Sequence, residues 1–108
     1  MSQGPSISPE QLYVELWVSL ASMLRSYTAA HGLNGNRQAT VELGENLITV
    51  RHGEKWLAVK RDGAQVIWRR QNGAEGSFEL RPDGQLEFPS GPVEMDMKAE
   101  EWARELMI

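Results

Sequence analysis

A chain of 108 residues with 41% hydrophobic and 24% charged side chains is the length of one domain with one core. It contains no cysteine, which excludes disulfides, thiol nucleophiles and every cysteine-based zinc site. Its net charge of −4 weakens long-range attraction to polyanions.

The first residues, MSQGPSI, show neither the charged n-region nor the apolar h-region of a secretory signal. The apolar-rich run Leu12 to Leu24 is too short to span a bilayer and contains Glu15. Residues 1–7 read as a disordered tail, residues 8–108 as a single α+β domain, and the protein as cytoplasmic.

Ser8-Pro9-Glu10-Gln11 has the form of a helix start, with Ser8 as N-cap, Pro9 in the first helical position and Gln11 closing a capping box. Gly32 is the stop, and His31 lies in the last turn, where positive charge is tolerated. The helix between them is about 34 Å long at 1.5 Å per residue. At 100° per residue, Leu12, Tyr13, Leu16, Trp17, Leu20, Met23, Leu24 and Tyr27 form one arc, which Ala21, Val14 and Val18 extend around the back. A sheet covers an apolar stripe of about 100°. Trp17, Val14 and Val18 therefore call for another cover.

Six short strands follow at hairpin spacing: Gln38–Leu43, Leu47–His52, Lys55–Arg61, Ala64–Arg70, Ser77–Arg81 and Gln85–Phe88. Each joint contains glycine, which supplies positive φ cheaply, and the joints are too short for crossovers. The predicted sheet is an antiparallel meander. Its centre is the hairpin KWLAVKRDGAQVIWRR, with Asp62-Gly63 as a type I′ turn. That turn sets Val59 opposite Val66 and Leu57 opposite Trp68. A three-residue loop, Arg61 to Gly63, would shift the register by one. Leu57, Val59, Val66 and Trp68 belong to the core face. The other face mixes Trp56, Ala58 and Ile67 with Lys60, Gln65 and Arg69, and Trp56 can stack on Arg69. Pro89-Ser90-Gly91-Pro92 breaks the sheet, Asp96 caps a last helix to about Met107, and Ala99, Trp102, Ala103 and Leu106 form its apolar stripe. The fold class is α+β: a long N-terminal helix packed on a six-stranded antiparallel meander, with a short C-terminal helix.

No catalytic constellation emerges. His31 and His52 sit on different elements with no third ligand, so no metal and no cofactor are assigned. The glycine-rich segments lead into strands, whereas phosphate cradles lead into helices. Glu79 and Glu87 lie on adjacent strands without a sign of burial. Charge is uneven: residues 37–70 hold seven Lys/Arg against four Asp/Glu, and residues 71–108 three against nine.

The apolar surplus points to a non-catalytic interaction module acting as a homodimer, its partner being itself or another protein. The interface candidates are Val14, Trp17, Val18, Trp56, Ala58, Ile67 and Arg69. A second reading holds a small apolar ligand between helix and sheet, with Tyr13, Tyr27, His31 and Trp68 as binding residues. A third binds single-stranded nucleic acid through Arg51, Lys60 and Arg69 beside Trp56.

Overall fold

The structure is a computed structural model that describes residues 9–32 and 38–108. The first helix, α1, spans Pro9–His31. It ends where glycine was expected to end it: the Gly32 N–H donates to the carbonyls of Thr28 and Ala29 at 3.0 and 3.2 Å. Thr28 is the one polar residue in the buried stripe, and its hydroxyl donates to the Leu24 carbonyl at 2.7 Å. The Ser8 cap, the tail and the Leu33–Asn36 loop lie outside the described residues.

The sheet has seven antiparallel strands in chain order: β1 Thr40–Leu43, β2 Leu47–His52, β3 Lys55–Asp62, β4 Gln65–Arg70, β5 Glu75–Leu80, β6 Gln85–Phe88 and β7 Gly91–Glu94. Six were expected. The segment read as a break is instead a tight reversal, in which Phe88 pairs with Gly91. Pro92 is tolerated on β7 because β7 is an edge strand, with one side free of ladder bonds.

The central hairpin keeps its faces but not its register. Asp62 pairs with Gln65, so the loop residues are Gly63 and Ala64. Gly63 has φ of 63°, and no described residue other than glycine has positive φ. A type I′ turn on Asp62-Gly63 would require positive φ at Asp62. Glycine in the first central position gives the II′ arrangement instead. Pairing moves by two residues: Val59 now faces Trp68 and Leu57 faces Arg70. Two is the side-chain period, so every residue stays on its assigned side.

Both helices lie on one face of this sheet. The second helix, α2, spans Met95–Met107 and starts two residues earlier than expected. Its N-cap is Glu94, without a side-chain cap bond. Asp96, expected as the cap, sits in the first turn and accepts a hydrogen bond from the Tyr27 hydroxyl. That bond, aided by burial and the nearby carboxylates, holds the Tyr27 hydroxyl above the ordinary tyrosine value. One turn further along, His31 Nε2 lies 2.8 Å from Glu100 Oε2, so the helices run in the same direction. Trp17, Leu20, Ala21 and Leu24 of α1 and Ala99, Trp102 and Leu106 of α2 join Ile48, Val50, Leu57, Val59, Val66, Phe78, Leu80 and Leu86 in one core.

Trp68 shows how tightly the layers fit. Its ring lies 6.0 Å from that of Trp102 and faces Gly76 across the β4–β5 ladder. A Cβ at Gly76 would come within 2.9 Å of the Trp68 indole atoms. Gly76→Ala is expected to displace that ring at a cost of about 1–3 kcal/mol. Chemical denaturation with near-ultraviolet dichroism checks this; an unchanged aromatic spectrum and midpoint would contradict it.

Candidate interaction surface

The two helices leave the other sheet face bare. Facing outward are Thr40 and Glu42 of β1, Leu47, Thr49 and Arg51 of β2, and Trp56, Ala58, Lys60 and Asp62 of β3. They continue with Gln65, Ile67 and Arg69 of β4, Glu75, Ser77 and Glu79 of β5, Gln85 and Glu87 of β6, and Pro92 and Glu94 of β7. Not one of these is buried. Ile67 is 53% exposed and Leu47 46%, in one cross-strand row that also holds Lys60. Strand alternation causes this pattern: the odd-even register that sends Leu57, Val59, Val66 and Phe78 inward sends these residues out.

Of the interface candidates, Trp56, Ala58, Ile67 and Arg69 share this face, with Trp56 and Ala58 half-buried between their neighbours. The expected Trp56–Arg69 pair does not form. Arg51 lies opposite Trp56, Arg69 lies opposite Ala58, and Arg69 Nε is 3.5 Å from Glu75. The two-residue register shift is the reason. Arg51, Lys60 and Arg69, the nucleic-acid candidates, do fall on one face, and five glutamates share it.

The back of α1 divides. Trp17 is 1% exposed, and its indole N–H donates to the Gly44 carbonyl at 3.4 Å. It is core, not surface, because α1 sits beside β1 and the β1–β2 turn folds over the ring. Val14 and Val18 are exposed and line a cleft of about 590 Å³ with Leu43, Glu45 and Asp62. Its inner wall is Arg61, whose guanidinium lies 5.9 Å from the centre of the Trp17 ring.

The ligand candidates are engaged elsewhere. Tyr27 is bonded to Asp96, His31 lies beside Glu100, Trp68 packs on Trp102, and Tyr13 packs against the core. Leu57, Val59 and Val66, expected as cavity walls, are fully buried in the core cluster with Leu20 and Leu24. His52 Nδ1 lies 3.0 Å from the Leu106 carbonyl, whereas His31 is paired with Glu100. Among the described residues no three His, Asp or Glu side chains are grouped as a metal would need, and no helix is long and apolar enough to cross a membrane.

Two buried cations escaped the sequence reading. Arg61 Nη2 meets Glu10 at 3.0 Å and Nη1 donates to the Gly63 carbonyl at 3.0 Å; Arg70 Nη1 meets Glu105 at 2.7 Å. Strand parity marks both, since Arg61 follows Leu57 and Val59 at intervals of two and Arg70 follows Val66 and Trp68. They pin the start of α1 and the end of α2 to opposite ends of the sheet. No protein-family model matches the chain, and no curated protein or solved structure matches it.

Proposed function

We propose that the protein is a non-catalytic interaction module that forms a homodimer through its open sheet face. The observation that carries this reading is a seven-stranded sheet with both helices on one side and, on the other, exposed Leu47 and Ile67 beside half-buried Trp56 and Ala58. Large apolar side chains left uncovered on a sheet face invite a second layer. The sheet edges are less inviting. Arg25 Nη2 donates to the Val41 carbonyl at the free side of β1, and Pro92 interrupts β7. Edge-to-edge growth is discouraged at both ends, which favours packing through the face.

The strip of Arg51, Lys60 and Arg69 would also suit a single-stranded nucleic acid, but the glutamates of β5–β7 beside it weigh toward a protein partner. An apolar ligand would have an opening in the cleft beside Val14 and Val18.

Sedimentation or light scattering tests the reading. Wild-type protein is expected to dimerise with a dissociation constant on the order of micromolar, as the small face implies. Ile67→Glu is expected to raise that constant at least about tenfold, the equivalent of about 1.4 kcal/mol, and to leave a folded protomer with the circular dichroism of wild type, because the position is exposed in the protomer. A wild-type monomer at roughly millimolar concentration, far above that constant, would sink the proposal.

A further inference from the structure

We infer that the two copies meet about a dyad parallel to the strands, between β4 and β5, which lays the basic strands of each copy over the acidic strands of the other. This rests on the sheet-face reading above and adds the arrangement of the partner.

Charge on the open face is segregated by strand. Arg51, Lys60 and Arg69 lie on β2, β3 and β4, whereas Glu75 and Glu79 lie on β5, Glu87 on β6 and Glu94 on β7. The exceptions are Glu42 on β1, Asp62 at the end of β3 and, just after β5, Arg81, which is bonded to Glu87. Within the protomer this segregation is left largely unrelieved. Arg51 and Lys60 have no ionic partner among the described residues, and neither has Glu79. Glu79 also lies directly opposite Glu87, a like-charge pair that destabilises a ladder. Glu87 is relieved by Arg81 at 2.9 Å, and Arg69 by Glu75 at 3.5 Å, both on the exposed surface. The face thus holds spare cations on one half and crowded carboxylates on the other.

Two-fold symmetry turns this into a choice of orientation. A dyad between two facing sheets lies in the plane between them. Set across the strands, it places every strand over its own counterpart, so basic meets basic and acidic meets acidic. Set along the strands, it exchanges left and right. With the axis between β4 and β5, β4 covers β5 of the second copy, β3 covers β6 and β2 covers β7. Strand β1, with Glu42, falls outside the overlap. Height along the strand is preserved, and Arg69 and Glu75 occupy the same rung. Arg69 therefore lies over Glu75 of the second copy, and Lys60 is offset from Glu87 by two residues, about 7 Å, along the strand. The two Ile67 side chains adjoin at the axis. Six overlapping strands spaced ~4.8 Å and about 17 Å long give on the order of 1,000 Å² for both copies together, the lower end for a specific interface. Such a dimer is weak, and its ion pairs make it salt-sensitive.

Charge exchange tests the arrangement with full-length protein. Lys60→Glu with Arg69→Glu makes one variant, and Glu79→Lys with Glu87→Lys makes the other. All four positions are exposed or half-exposed, so circular dichroism should match wild type for both. Each variant alone is expected to self-associate at least about tenfold more weakly. An equimolar mixture should regain a 1:1 dimer within a few-fold of wild type. A second readout uses a spin label at Glu42→Cys, an exposed β1 site in a chain without cysteine. The dyad along the strands predicts a separation of roughly 35 Å, and the dyad across them one under about 20 Å. A mixture that stays monomeric, or a short label distance, overturns this dyad while Ile67→Glu still splits the wild-type dimer. A dimer that survives Ile67→Glu overturns the sheet-face reading itself.

Discussion

Trp17→Ala is expected to lower the unfolding free energy by about 3–5 kcal/mol, the range for truncating a buried aromatic. The indole is almost wholly enclosed, its N–H is bonded to the Gly44 carbonyl, and the Arg61 guanidinium lies over its ring. Removing it opens a cavity at the junction of α1, the β1–β2 turn and β3. Single domains hold only ~5–15 kcal/mol in reserve, so Trp17→Glu, which adds a carboxylate to the same loss, is expected to leave little folded protein. Val18→Glu, one residue away but 44% exposed, is the control and should stay within about 0.5 kcal/mol of wild type. Urea denaturation of the three variants decides the matter. A loss below about 1 kcal/mol for Trp17→Ala would mean that the ring does not hold this junction together.

The second large effect inverts the usual expectation that exposed residues matter less. Glu10→Ala is expected to cost about 1–3 kcal/mol, and Arg61→Met to cost less. Glu10 is 64% exposed, whereas the Arg61 side chain is 3% exposed. Deleting the carboxylate leaves a buried guanidinium with only the Gly63 carbonyl, and its Nε already has no partner. Replacing the guanidinium by a thioether of similar reach removes that demand and frees Glu10 into water. The double variant should then resemble Arg61→Met alone. If Glu10→Ala is silent and Arg61→Met severe, the guanidinium stabilises the fold without its carboxylate partner.

Much of the fold was readable in particular residues. Pro9 and Gly32 bracket the first helix because each suits one end of it. The stripe of Ala99, Trp102, Ala103 and Leu106 is buried as its spacing required. The faces of β3 and β4 were assigned correctly even though their register was not, since a slip of two preserves parity. The seventh strand was hidden because its Gly91-Pro92 start carries a breaker's composition, and only the edge position makes that composition acceptable. Arg61 and Arg70 were hidden because a charge at a core parity becomes sensible only once a carboxylate from another element arrives beside it.

Composition and periodicity by themselves determined the helices, the antiparallel order of the strands and which side chains share a sheet face, because those follow from neighbours within a few residues. Tertiary structure alone decided that both helices settle on the same side, that Trp17 turns inward, and that Ile67 and Leu47 stay bare. Those outcomes depend on how two layers divide a limited apolar area, a competition between residues far apart in the chain that no local pattern encodes.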